Sequence, residues 1–150
     1  MSNTIFKIFP RYSYQTYTDE QIISAVDMLK SYSKEEITFT NYKSIQFIDC
    51  GDGLKYIFCP WCGSELDIQY WQKAMDKAYD SNSFKYLGLS MPCCKLSSSL
   101  AEIIYIKPCG FATFVIEVFN PTYIPCVVEL HEMGKCFGNI NFFRMISAHY

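Results

Sequence analysis

The sequence predicts an α+β fold in which helices pack on one face of a small sheet. Two observations support this prediction. Half of the 150 residues are apolar, which suits about one globular domain with a buried core. Strand-like and helix-like apolar patterns also alternate along the chain, and a cysteine-rich stretch interrupts them. We therefore expect a single α+β domain over residues 1–150, with residues 52–97 inserted as a subdomain.

The first third of the chain predicts a strand, a helix and further strand structure. The apolar stretch TIFKIF, at residues 4–9, is β-prone. Thr18 and Gln21 have the spacing of a capping box, which predicts a helix that starts there and ends near Tyr32. EEITFTNY and KSIQFID then favour one or two strands, with a turn near residues 41–44.

The insert, residues 52–97, follows the turn-rich stretch DCGDG. KYIF predicts a short strand before the first cysteine pair. DIQYWQKAMDKAYDS has one apolar face and predicts a helix. FKYLGLS predicts a second strand, which leads to the second cysteine pair. The insert thus places two cysteine pairs at the ends of two strands.

The last third predicts two or three helices and a strand. LSSSLAEI offers a helix cap, formed by Ser99 with Glu102. GFATFVIEVF predicts a nearly all-apolar, buried helix that ends at Asn120. PCVVELHEM predicts a short helix capped by Gly134, and NINFFRMISAHY predicts a strand inside the sheet. The resulting order is β-α-β, insert, α-α-β, for which a ferredoxin-like arrangement is one possible topology.

The first cysteine pair, Cys59 and Cys62 in CPWCG, has the spacing of a metal-binding turn. Two thiolates one tight turn apart converge on a single ion, and Gly63 lets the chain leave the turn with a positive φ. A tetrahedral site needs four such ligands, and Cys93 and Cys94 supply the remaining pair. We predict Cys59, Cys62, Cys93 and Cys94 as metal ligands.

The second pair, Cys93 and Cys94, consists of adjacent residues, which limits how both can bind one ion. Neighbouring side chains of a strand point to opposite faces, so Cys93 and Cys94 can bind one ion only from a turn, which Pro92 favours. If only one of the two binds, Cys50 is the natural substitute ligand. The sequence leaves these ligand sets open.

A redox function is the alternative interpretation of the first pair. CPWC is similar to the CPYC step of glutaredoxins, in which a helix that begins at the first cysteine lowers the pKa of that thiol. Here Gly63 and Ser64 follow Cys62, and the helical pattern starts only near Asp67. This late start favours metal binding over a thiol oxidoreductase that uses Cys59 and Cys62.

Residues 54–96 resemble a zinc ribbon, in which two cysteine turns at strand ends hold one metal ion. This resemblance implies a structural Zn²⁺ and neither a catalytic residue nor an organic cofactor. The whole chain also resembles small bacterial proteins of no established activity. They share CPxCG (59–63), PCC (92–94), a GFA-type segment (110–121) and a terminal AHY (148–150). That resemblance implies a bacterial, cytoplasmic protein.

Charge and aromatic content bear on the partner. The net charge is −2 and the sequence contains no basic run, which disfavours nucleic-acid binding. No signal peptide and no apolar run of about 20 residues is recognisable, so we expect a cytoplasmic protein that does not span a membrane. Tyr12, Tyr14, Tyr17 and Trp61 have the chemistry of interface residues, which predicts a protein partner.

Three functional hypotheses follow from these features. The leading one is a non-enzymatic, zinc-stabilised protein-binding module, of which a bacterial toxin-neutralising (immunity) protein is one form. The second is a glutaredoxin-like thiol oxidoreductase. The third is a zinc ribbon that binds nucleic acid or the transcription machinery, which the charge disfavours.

Overall fold

The computed structural model describes residues 3–51, 53–138 and 143–150. Its elements follow in the order β1 (Thr4–Pro10), α1 (Asp19–Tyr32), β2 (Ile37–Ile48), β3 (Ile57–Phe58), α2 (Ile68–Asn82), β4 (Gly88–Ser90), β5 (Ser97–Ser99), β6 (Ile104–Tyr105), β7 (Gly110–Phe119), α3 (Val127–Gly134), a 3₁₀ helix (Lys135–Phe137) and β8 (Phe143–His149). The predicted α+β class is confirmed. Residues 52 and 139–142, which belong to the predicted insert and terminal strand, lie outside the described ranges.

The main sheet has four strands in the order β2-β7-β1-β8, and each neighbouring pair is antiparallel. The units β1-α1-β2 and β7-α3-β8 each connect two strands that have another strand between them. This connectivity is compatible with the ferredoxin-like topology considered from the sequence. The smaller pairs β3–β6 and β4–β5 lie in the chain between β2 and β7.

The prediction of a helix for GFATFVIEVF is wrong, because this segment forms β7. It pairs with β1 on one side, where Ile8 faces Ile116, and with β2 on the other, where Asn41 faces Phe114. Side chains on both faces of this central strand are mostly buried, and its two polar residues, Thr113 and Glu117, are too few to mark a two-residue period. A continuous apolar run fits helical spacing by default, and only its aromatic and β-branched content favours a strand.

Other local predictions fare differently. The capping box of α1 is confirmed: the Gln21 amide donates to Thr18 Oγ1 at 3.2 Å, and the Thr18 amide donates to Gln21 Oε1 at 2.9 Å. β2 is one strand with a register shift between Asn41 and Gln46. The helix cap predicted at Ser99 is wrong. Ser99 instead ends β5 and pairs with Gly88, as suits a serine-rich segment of low helix propensity.

Both helices outside the insert pack against the same face of the sheet. Side chains of α1 and α3 share a core with alternate residues of β1 and β7, among them Phe6, Ile8, Phe114, Ile116 and Val118. The insert has its own core around Ile57, Trp71, Met75, Met91 and Leu100, and Phe111 of β7 belongs to it. The predicted layer of helices on one face is present, and the insert packs on the end of the sheet nearest to β7's first residues. Within residues 3–51, 53–138 and 143–150, no helix is long and apolar enough to span a bilayer.

A buried lysine lies on the face of the sheet opposite the helices. Lys7 is only 5% exposed, and its Nζ donates to Asp49 Oδ1 at 2.9 Å and to the Tyr150 hydroxyl at 2.6 Å. The Tyr150 hydroxyl donates in turn to Asp49 Oδ2 at 2.8 Å. This network joins β1, the residue that follows β2 and Tyr150.

The network makes the stability dependent on pH. Burial alone would raise the pKa of Asp49, but hydrogen bonds from Lys7 and Tyr150 hold it below its ordinary 3.8. A carboxyl with a depressed folded-state pKa contributes stability above its unfolded-state pKa and loses it as pH falls through the folded-state pKa. Burial lowers the pKa of Lys7, but the bonds to Tyr150 and Asp49 raise it by more, so that the net pKa lies above its ordinary 10.5. The contribution of Lys7 to the free energy of unfolding is therefore fully present below pH 10.5 and is lost as pH rises through the folded-state pKa.

We expect Asp49→Asn to lower the free energy of unfolding by about 1–2 kcal/mol at pH 7. This is less than the loss for a fully buried pair, because half of the Asp49 side chain is exposed. The difference from the wild type should shrink as pH falls below about 4, because Asp49 of the unfolded chain is protonated there while the folded chain still holds it ionised. Urea unfolding of both proteins at pH 7 and pH 3 measures this. A difference of equal size at both pH values would contradict it.

Candidate metal centre

The structure brings the four predicted cysteines together. Cys59 and Cys62 lie in the turn after β3, while Cys93 and Cys94 lie in the turn between β4 and β5. The four Sγ atoms all lie within 4.8 Å of one another. Cys59 is fully buried, Cys94 is half-buried, and the other two are exposed. The cluster therefore sits at the surface end of the insert core.

The first turn is closed by backbone hydrogen bonds. The Cys59 amide donates to the Ser64 carbonyl at 2.9 Å, and the Gly63 amide donates to the Cys59 carbonyl at 3.1 Å. Gly63 has a φ of 73°, as expected for the residue that leaves such a turn. The Trp61 amide donates to Cys59 Sγ at 3.4 Å. The turn thus directs an amide at a sulfur, which stabilises a thiolate there.

The second turn repeats the hydrogen bonds of the first. The Met91 amide donates to the Leu96 carbonyl at 2.9 Å, and the Lys95 amide donates to the Met91 carbonyl at 3.0 Å. Lys95 has a φ of 66°, the conformation that Gly63 has in the first turn. The adjacent Cys93 and Cys94 accordingly lie in a turn and not in a strand, which meets the condition for both to face one ion.

Superposing the two hydrogen-bond patterns shows an offset between the turns. Met91 takes the place of Cys59, and its side chain is fully buried. Cys93 takes the place of Trp61, so the second turn contributes a sulfur from a position that holds a non-ligand in the first. Sequence reasoning missed this correspondence, although the shared proline after Cys59 and after Met91 signals it.

The distances between sulfurs fit a tetrahedral thiolate site. Cys59 Sγ and Cys94 Sγ are 3.8 Å apart, and Cys62 Sγ and Cys93 Sγ are 3.3 Å apart. Four sulfurs that each lie about 2.3 Å from a zinc ion would be about 3.8 Å from one another. A small adjustment of Cys62 and Cys93 would therefore complete the tetrahedron.

Protonation at the cluster is uneven. Hydrogen bonds from the Ser64 side chain and backbone and from Cys93 lower the pKa of Cys62 to about 6. The contact with Cys62 and burial raise the pKa of Cys93 to about 12. Burial raises the pKa of Cys59, but hydrogen bonds from the backbone amides of Trp61 and Cys62 outweigh this effect, and the net pKa is lowered. A cation that replaces the protons would relieve the crowding of these sulfurs.

Cys50 is not part of the cluster. It is 3% exposed and its side chain lies against Cys109, whose pKa is raised by burial and by Cys50. Among the described residues, the group able to hold a metal contains Cys59, Cys62, Cys93 and Cys94 alone. The alternative ligand set with Cys50 is therefore not supported by this arrangement.

The late start of the insert helix agrees with the sequence. α2 begins at Ile68, and Asp67 caps it by accepting a hydrogen bond from the Gln69 amide at 2.8 Å. Cys59 and Cys62 lie well before this helix N-terminus, so the helix dipole does not act on them directly. The arrangement lacks the feature that activates a glutaredoxin thiol.

The first turn also reaches across to the second strand pair. Trp61 is 61% exposed, and its indole Nε1 donates to the Ser97 carbonyl of β5 at 2.9 Å.

Comparison of the chain with protein-family models, with curated proteins and with solved structures gives no match. The geometry alone therefore defines the site: a four-cysteine cluster, at metal-binding distances, compatible with a zinc-binding module.

Proposed function

We propose that this chain is a non-enzymatic protein-binding module whose insert is stabilised by one structural zinc ion. The observation that carries the proposal is the convergence of four sulfurs within 4.8 Å, from two turns of the same construction. Four thiolates leave no coordination position for a water, which is the arrangement of structural and not of catalytic zinc. Zinc is preferred over iron because this role requires no change of oxidation state.

An exposed apolar surface at the start of α3 supports protein binding. Ile124, Val127 and Val128 are 59%, 82% and 69% exposed, and the rings of Tyr123 and Tyr32 lie beside them, 6.2 Å apart. We call these five residues the α3 surface. Neighbouring exposed β-branched residues gain stability when a partner covers them, and tyrosines often contribute strongly to such interfaces.

The charge near the α3 surface suits a basic partner. Burial raises the pKa of Tyr32, and the nearby Glu129 and Glu132 raise it further, which indicates a negative potential there. The whole chain is also acidic, with a net charge of −2. We propose a cytoplasmic bacterial protein that neutralises a basic toxin as the concrete form of this function, because charge complementarity speeds association and excludes wrong partners.

A double substitution in the α3 surface tests the binding function. We expect Val127→Asp with Val128→Asp to lose the protein that the wild type captures from its host, because two carboxylates would enter an apolar interface. The melting temperature should stay within about 2 °C, since both side chains are exposed. Affinity capture with quantitative mass spectrometry and thermal unfolding measure the two effects.

Ile23→Asp is the matched control, because Ile23 is 45% exposed on α1, outside the α3 surface. It should retain the partner. If the wild type and the double variant capture the partner protein equally, the α3 surface is not the binding site. Elemental analysis should find about one zinc per chain, whereas metal-free protein with a reactive Cys59 would favour the thiol oxidoreductase instead.

A further inference from the structure

A groove of about 490 Å³ lies between α2 and the β4–β5 hairpin. Its apolar lining comes from side chains of both walls: Ala74, Ala78, Leu89 and Leu100. Tyr70 and Tyr86 line it as well, and Tyr86 is 70% exposed. We call this feature the α2 groove. Its volume lies within the range of about 300–1,000 Å³ that is typical of ligand pockets.

The α2 groove is positively charged in an acidic protein. Lys73 and Lys77, one helical turn apart, are the charged residues in its lining. No described carboxylate forms an ion pair with either ammonium group, since the ion pairs of the described residues are Lys7–Asp49 and Lys135–Glu132. Both lysines are thus available to a ligand, and the surrounding chain has a net charge of −2.

The β wall of the α2 groove is held by the two cysteine turns. Ser90, at the end of β4, accepts a hydrogen bond from the Tyr70 hydroxyl at 2.8 Å and is followed by the turn that contains Cys93 and Cys94. Ser97, which pairs with Ser90, accepts the bond from Trp61 of the first turn. A metal ion at the cluster would therefore fix the wall against which a ligand packs.

We propose that the α2 groove binds an acidic peptide segment of a partner protein. Its carboxylates pair with Lys73 and Lys77, and an apolar side chain between them packs on Ala74 and Leu89. The apolar floor distinguishes this ligand from a free anion, which would leave the floor uncovered. Two lysines are too few for a nucleic acid, whose backbone binding requires an extended basic surface.

This inference goes beyond the proposed function, because the α2 groove and the α3 surface belong to different elements. The probe is a fluorescein-labelled peptide with four Asp or Glu residues around a central Leu-Phe. A second peptide, with Asn and Gln in place of the acids, is the matched probe. Fluorescence anisotropy measures binding, and NMR shift changes at the amides of Gly88, Leu89 and residues 73–78 locate it.

We expect the acidic peptide to shift the groove amides and to bind at least tenfold more tightly than its amide counterpart. Lys73→Glu with Lys77→Glu should weaken binding at least tenfold, because attraction becomes repulsion. The control variant, Lys30→Glu with Lys34→Glu, changes the net charge by the same amount at two exposed positions outside the groove, one in α1 and one just after it. It should leave the affinity for the acidic peptide within about twofold of the wild type. Zinc content and circular dichroism check that all variants fold.

Three outcomes would overturn the inference. One is equal affinity for the two peptides. Another is equal loss of affinity in both double-lysine variants, which would indicate a general charge effect. The last is a set of shifts that inorganic phosphate reproduces at the same concentration, which would indicate a simple anion site. Each of these leaves the α3 surface untouched, so the proposed function would stand or fall separately.

Discussion

Replacing Cys59 with serine is expected to lower the free energy of unfolding by about 4 kcal/mol. A metal that binds the folded chain about a thousandfold above its dissociation constant contributes this amount, and the variant would lose it. For a chain of this length, such a loss lowers the melting temperature by about 10 °C. Chemical denaturation and differential scanning calorimetry measure the two quantities.

The physical reason for this large effect is the weak secondary structure of the insert. The strands between β2 and β7, of which β5 and β6 lie past the predicted end of the insert at residue 97, are two or three residues long, and each pairs with a single partner. Such short two-stranded pairs are marginal alone. Cys59 is fully buried in the insert core, next to residues that hold α2 in place. Loss of the cluster should therefore loosen residues 53–109 before the main sheet.

Cys126→Ser is the matched control for this prediction. Cys126 is exposed and lies outside the cluster, and serine is a good residue for its position at the start of α3, so its substitution should not lower the free energy of unfolding. A strong chelator should bring the wild type down to the stability of the Cys59 variant. Equal stability of the two serine variants would contradict a metal-held insert.

Phe114→Ala is expected to lower the free energy of unfolding by about 3–5 kcal/mol. Phe114 is fully buried in the central strand β7, and its ring lies 5.6 Å from that of Tyr17 and 5.2 Å from that of Phe137. Truncation would leave a cavity between the sheet and α1, with loss of these ring contacts. Urea denaturation, read by circular dichroism, measures the loss.

Phe119→Ala makes the same chemical change at the end of β7, where the side chain is only partly buried. It should cost less than about half as much, since little cavity forms at a surface that can relax. Similar losses at both positions would mean that β7 is not the central strand of the core.

Local signals were sufficient where they act over a few residues. The capping box of Thr18 and Gln21 predicts the start of α1 because both bonds form within one turn. The CPWCG spacing places Cys59 and Cys62 in a tight turn for the same reason. Neither prediction depends on what the rest of the chain does.

The predictions for β7 and for the second cysteine turn depend on contacts between residues far apart in the sequence. β7 is a strand because β1 and β2 pair with its two edges, and the sequence of the segment alone does not indicate these partners. The second cysteine turn was harder still, since Met91 in place of a cysteine hides its likeness to the first turn. Cys50 was a candidate ligand from its loop, but packing against Cys109 removes it from the cluster.

Zinc K-edge X-ray absorption of the purified protein tests the central claim most directly. We expect a first shell of four sulfur atoms at about 2.3 Å, with no oxygen or nitrogen ligand. The Cys93→Ser variant should show three sulfurs and one lighter atom, while Cys50→Ser should keep the spectrum of the wild type. A wild-type shell with fewer than four sulfurs, or a spectrum changed by Cys50→Ser, would contradict a site closed by Cys59, Cys62, Cys93 and Cys94.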